Sequence, residues 1–209
     1  MAMTAAERGR QVRERLLTAA RELIVERGWR GVTTRTLAER AGVAPGLVHY
    51  HFGSLQELLG EAAISALREL VRSIGPNFQQ ASSMSAGLDL MLMALDRYTG
   101  DDPMSLLVCE TYLASTRDAT LRTAVESLLS EFRVVLADWL RDRGCAQPEQ
   151  TAAVLAAAID GIMLHRAVDP SLTSGVVAPV LQRVLTGDRD RPRSAMRRSS
   201  NRSKRRERS

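Results

Sequence analysis

The chain has little with which to build disulfides, sheets or membrane spans. Only two of its 209 residues are cysteine, Cys109 and Cys145. They fall inside helical patterns with no pair spacing, which excludes a disulfide framework and reads as two idle thiols in a reducing compartment. No apolar run approaches the roughly 20 residues that span a bilayer. Charge appears at the N-terminus almost at once, at Glu7, Arg8 and Arg10, so no signal peptide is visible and a cytoplasmic location is expected. Aromatic residues make up 4% and prolines number seven. No stretch alternates as a strand does, which argues against sandwiches and barrels. What remains, rich in Ala, Leu and Arg and 44% hydrophobic, is expected to be an all-α protein with a proper core. No set of nucleophile, base and orienting group is visible, so no enzyme is expected.

Charge is present but unevenly placed. The net +5 divides into +3 over residues 1–60, −5 over residues 61–186 and +7 over residues 187–209. A basic front, an acidic middle and a very basic tail are expected where the front touches nucleic acid and the middle does not. From Gly187 onward the chain is mostly Arg and Ser. It has too little apolar surface to offset its ordering entropy, so a disordered basic tail is expected over 187–209.

Apolar spacing predicts about nine helices. The first covers about 6–27, with Val12, Leu16, Leu17, Ala20, Leu23 and Ile24 on one stripe, and Gly28 stops it. Trp29 and Val32 read as core plugs. Thr33 or Thr34 caps the second helix, Gly42 supplies a turn, and Pro45 suits the first turn of the third. Of Leu47 and Val48, the latter fits the inward face better. Ser54-Leu55-Gln56-Glu57 reads as a capping box opening a connecting helix over 54–74, ended by Gly75-Pro76. Further helices are expected over about 85–98, 102–116, 118–142, 148–168 and 174–185. The expected organisation is a small domain at 1–53 and a larger helical domain at 54–186.

Residues 33–59, TTRTLAERAGVAPGLVHYHFGSLQELL, carry the clearest motif. They have the pattern of a helix-turn-helix whose second helix enters the major groove. With the amphipathic helix before it and GSLQELL directly after, residues 10–60 resemble the DNA-binding domain of the TetR (tetracycline-repressor-like) family of transcriptional regulators. IDGIMLHRAVDP, residues 159–170, resembles a segment of that family's second-last helix. The resemblance implies a homodimer on a palindromic operator, paired through the last two helices (about 148–168 and 174–185). It also implies a small-molecule effector that acts on the connecting helix, with a repressor as the expected role.

Carried over residue by residue, the resemblance puts Thr33 and Thr34 on phosphate and Arg35 on a base or a phosphate. Ala44, Pro45, Gly46 and Leu47 then face base edges, and His49 and Tyr50 touch the backbone. Two departures stand out. The family's more frequent Tyr-His order is swapped here, and its frequent lysine at the start of the connecting helix is replaced by Leu55. The base-facing end offers methyl contacts rather than bidentate hydrogen bonds. Sequence choice is therefore expected to lean on Arg35, close approach at Gly46 and DNA shape. A ligand-independent architectural DNA binder driven by the arginine tail is the alternative.

Three adjacent side chains, His49, Tyr50 and His51, cannot all face one ion, and no Cys or acid cluster accompanies them, so no metal or cofactor is expected. Met84, Met91, Met93 and Met104 read either as core filler or as the deformable wall of an apolar effector cavity. In the second case the ligand-binding candidates are Met93 with the polar handles Cys109, Tyr112, Trp139, Asp160 and His165.

Overall fold

Six of the α-helices described open on a Ser, Thr or Asp side chain that accepts from an amide of the first turn. The computed structural model describes residues 4–186, apart from the side chains of residues 76, 77 and 186. The basic segment 187–209 lies outside the described residues. Among the described residues there are nine α-helices and no strand. α1 (Ala5–Arg27) opens on Thr4, whose side chain accepts from the Glu7 amide while the Glu7 carboxylate accepts from the Thr4 amide. A single 3-10 turn (Trp29–Gly31) follows. α2 (Thr34–Ala41) is capped reciprocally by Thr33 and Thr36. Gly42 then takes the left-handed conformation, φ 62°, and turns the chain into α3 (Gly46–His51).

α4 (Leu55–Gln79) is capped by Ser54, but the capping box is displaced by one residue. The Glu57 carboxylate accepts from the Gly53 amide rather than from that of Ser54. α4 also runs on past the predicted stop at Gly75-Pro76. Ile74 and Phe78 are both buried, and Phe78 packs edge-on against Trp139 at 5.4 Å, so core packing outweighs the proline's lost hydrogen bond. Next come α5 (Met84–Leu95), α6 (Pro103–Ser115), α7 (Ala119–Asp142), α8 (Pro148–Arg166) and α9 (Ser174–Thr186). α5 ends three residues earlier than expected, and Tyr98 is instead buried in the turn beyond it. There its carbonyl, with those of Leu95 and Leu172, accepts from the buried Arg166 guanidinium, which also pairs with Asp96 at 2.7 Å.

α1–α3 and the first turns of α4 pack around Leu16, Leu23, Ile24, Leu37, Val48 and Leu58, all buried. The remaining helices form the larger body, with α7 against α8 and α9 against α5. α4 belongs to both, since it packs on α1 near its start and on α5 and α7 further along. No helix among the described residues is long and apolar enough to cross a membrane.

Candidate nucleic-acid interface and effector cavity

The front of the molecule is a short helix held rigidly with its N-terminal end bare. Val48 and Phe52 anchor α3 inward. The Arg13 guanidinium lies 4.9 Å over the Phe52 ring and pairs with Glu61 at 2.5 Å, fastening α1, the end of α3 and α4 together. Arg40 on α2 pairs with Glu22 and Glu26 on α1. Arg21 reaches the Ala62 carbonyl and the Ser65 hydroxyl on α4.

On that frame Ala44, Pro45 and Gly46 are exposed and Leu47 is half-buried. The space around the Gly46 α-carbon is open on the side a methyl group would occupy. His49 is exposed, and Tyr50 is 80% exposed with its ring edge-on to His51 at 5.0 Å. Thr33 is exposed with its hydroxyl engaged in the α2 cap, and Thr34 sits in the first turn. Arg35 is exposed, its Nε donating to Glu39 at 2.9 Å. Such an exposed pair holds weakly and yields readily to a stronger anion. Of the nine sequence-predicted residues, seven are exposed, and Thr34 and Leu47 are half-buried.

The front is tied to the body through Trp29. Its amide donates to Glu110 Oε2 on α6 at 2.7 Å, and its indole donates to Gln56 Oε1 on α4 at 2.9 Å. Sequence reading missed Glu110. The only signal available was an acid at a place where most of the α6 surface is apolar.

α6 also walls a cavity on its other side. An outer cavity of about 350 Å³ lies between α6 and α8, lined by Cys109, Tyr112, Asp160 and Met163 among others. A smaller chamber of about 70 Å³ adjoins it on the inner side, toward α4, lined by Leu67, Leu70 and Ile74 of α4 and by Phe132 of α7. The Tyr112 hydroxyl donates to Asp160 Oδ2 at 2.7 Å, joining α6 to α8. Burial pushes the Asp160 carboxyl above its ordinary value, against the opposing effects of the Tyr112 hydrogen bond and the Arg133 charge. Burial pushes the Tyr112 phenol up as well, helped by the Asp160 carboxylate.

Of the six sequence-predicted handles, three come together here: Cys109, Tyr112 and Asp160. The other three do not. Met93 is 62% exposed on α5, on the side turned away from the core. His165 is exposed near the end of α8. Trp139 is buried against Phe78 and under the Arg143 guanidinium at 4.5 Å, where its indole N–H finds no partner among the described residues. The methionines at 84, 91, 93 and 104 line neither cavity, and Met91 is core filler. The methionine that does line them is Met163.

A family model described as "Bacterial regulatory proteins, tetR family" matches residues 16–62, and one described as "Tetracyclin repressor-like, C-terminal domain" matches residues 82–198. The HTH-type transcriptional regulator LmrA of Bacillus subtilis (strain 168) is 28% identical over 178 residues, covering 81% of this chain and 90% of that protein. The solved structure of SCO7518 from Streptomyces coelicolor A3(2) superposes with a TM-score of 0.73 at 27% identity, covering 85% of this chain and 99% of that one. The multidrug binding protein EbrR, solved with imidazole, superposes with a TM-score of 0.64 at 26% identity, covering 83% of this chain and 94% of that one.

Proposed function

The chain belongs to the TetR family of bacterial transcriptional regulators, and from that premise we propose that it is a cytoplasmic, homodimeric repressor released from a palindromic operator by a small-molecule ligand. The domain at 1–53 reads DNA, and residues 54–186 bind the ligand and the second protomer. Ala44, Pro45, Gly46 and Leu47 face base edges, and Arg35 reaches a base or a phosphate. Thr33, Thr34, His49 and Tyr50 lie on the DNA backbone. Cys109, Tyr112 and Asp160 face the ligand.

The observation that carries this reading is the bare N-terminal end of α3 on a frame fastened at every other point. An exposed helix end with no packing duty suits a groove rather than a core. For dimerisation, support comes from α8 and α9. Val154 and Leu164 on α8 and Val176, Val180 and Val184 on α9 are all exposed, and Val168, just past the end of α8, is 85% exposed. A second copy of the chain covering this face by a two-fold axis would present two α3 helices to successive major grooves, about 34–36 Å apart or a multiple of that.

Release follows from geometry that α4 and α6 share. Residues of α4 line the inner chamber, and α6 holds the cavity through Tyr112 and the front through Glu110. A ligand that fits one placement of these helices better than another shifts the separation of the two reading ends. The shift is limited by the ligand's differential affinity for the two placements.

A gel shift with a palindrome from upstream of the gene, in excess competitor DNA, tests this reading. Binding as a dimer that survives competitor supports it. Binding that tracks only DNA length and salt overturns it in favour of an architectural protein.

A further inference from the structure

Asp160 has one structural duty, accepting from Tyr112 across α6 and α8, and a neutral acceptor would serve that as well. The other acids with partners in the body serve the fold. Asp96 pairs with Arg166 and accepts from Ser174. Asp102 and Asp118 cap α6 and α7, and Asp89 accepts from Gln182. Asp160 sits in the interior of α8, far from either helix end, where aspartate is a poor helix former. Its one hydrogen bond among the described residues comes from Tyr112, to Oδ2. No basic side chain among the described residues pairs with it. Arg133 acts on it from a distance, from the exposed side of α7. A carboxylate set among Val108, Met163, Ile159 and Ala156 without a countercharge is costly to maintain.

Its position gives the cost a use. Val108, Tyr112, Asp160 and Met163 line both the outer cavity and the inner chamber, so these four side chains form the partition between them. The hydrogen bond from Tyr112 to Asp160 is the polar part of that partition. Behind it the walls are aliphatic, apart from the Phe132 ring.

We propose that this cavity takes an organic cation with an apolar body, whose positive head replaces the Tyr112 hydroxyl on Asp160 and whose body passes the opened partition toward α4. The proposal rests on the reading of the α6–α8 cavity as the effector site and names its ligand class. A cation supplies the countercharge that the carboxylate lacks, whereas an anion would meet that carboxylate in a poorly screened site. The aliphatic lining takes the body by burial, and the ring faces of Tyr112 and Phe132 suit an alkylated ammonium. The outer volume, about 350 Å³, falls at the small end of the roughly 300–1,000 Å³ usual for ligand sites, so a compact cation is favoured.

The test is isothermal titration of the full chain with three probes of equal chain length, n-octyltrimethylammonium, n-octanol and n-octyl sulfate. Each is repeated with Asp160→Asn and Tyr112→Phe, and thermal melts check that both variants fold. The expected result is that the cation binds at least tenfold more tightly than the alcohol and the sulfate. Asp160→Asn should weaken the cation tenfold or more and change the alcohol less than twofold. Tyr112→Phe, which removes the competing hydroxyl, should leave cation affinity equal or higher. Alcohol or sulfate binding as tight as that of the cation, no cation binding, or full cation binding by Asp160→Asn would each overturn the proposal. A separate arm fills the cavity with Cys109→Trp and measures operator affinity. A change there keeps the effector-site reading even when the cation fails, and no change together with no probe binding overturns both.

Discussion

Gly46 is the position where fold and function make opposite demands, and Gly46→Ala separates them. The residue opens α3, its φ is not in the left-handed region, and nothing in the protein lies within 4 Å of where a β-carbon would sit. The fold alone therefore favours alanine, which stabilises a helical position by about 0.5–1 kcal/mol over glycine. At this chain length that raises Tm by about 1–4 °C. Nothing inside the protein requires the glycine, and the proposed function assigns it to close approach of DNA to its backbone. If the floor of the major groove makes that approach, an added methyl disrupts a contact worth about 1–3 kcal/mol, the scale of one mismatched base pair. That is a five- to 150-fold loss of operator affinity, with non-specific affinity unchanged. Thermal melts and fluorescence anisotropy on the operator and on a scrambled duplex measure both sides. A variant that is more stable and binds the operator as well as the parent refutes close approach at Gly46. A variant that melts lower refutes the account of α3 itself.

Three further expectations follow from named contacts. Arg35→Ala loses only an exposed pair with Glu39, so the melting temperature stays at the parental value, while preference for the operator over a scrambled duplex falls; an equal loss on both duplexes would make Arg35 a phosphate contact. Glu110→Ala removes the acceptor of the Trp29 amide and lowers the urea unfolding free energy by about 1–3 kcal/mol, with Glu110→Gln costing less; a parental midpoint for Glu110→Ala would show that α6 is not fastened to the front there. Burial works to raise the Asp102 carboxyl. Hydrogen bonds from the Ser105 hydroxyl and amide, and from the Thr99 and Met104 amides, outweigh it and hold the group below its ordinary 3.8. Its contribution is therefore full above that value and is lost as pH falls through the lower folded value. Between pH 5 and 3 the parent should lose more stability than Asp102→Asn, and parallel curves would contradict this.

The helices were legible because their ends are written locally. Thr33, Ser54, Asp102 and Asp118 are caps whose hydroxyls or carboxylates reach amides two or three residues on, and sequence spacing reports that directly. The end of α4 was not legible. Gly75-Pro76 is a local stop signal, and what overrides it is Phe78 packing on Trp139, 61 positions away. The residues proposed to face DNA fall on α2, α3 and the segments that open them, a short stretch whose pattern of exposure the sequence reports locally. The cavity was legible only in part. Periodicity tells which side of α6 or α8 turns inward, but not whether an inward side chain meets a void or a neighbour. Cys109, Tyr112 and Asp160 meet a void, Trp139 meets Phe78, and Met93 and His165 do not turn inward at all. Met163, which lines both cavities, differs from the core methionine Met91 in no way that sequence alone reveals.

The central claim is that two copies of α3 read a two-fold DNA site. It is tested most directly by selecting binding sites from a random duplex pool with the full chain at physiological salt. The account predicts enrichment of an inverted repeat whose half-site centres lie one helical turn, or a whole multiple of it, apart. Inserting five base pairs between the half-sites should abolish tight binding. A pool that enriches no inverted repeat, or tight binding that tolerates the five-base-pair insertion, would contradict it.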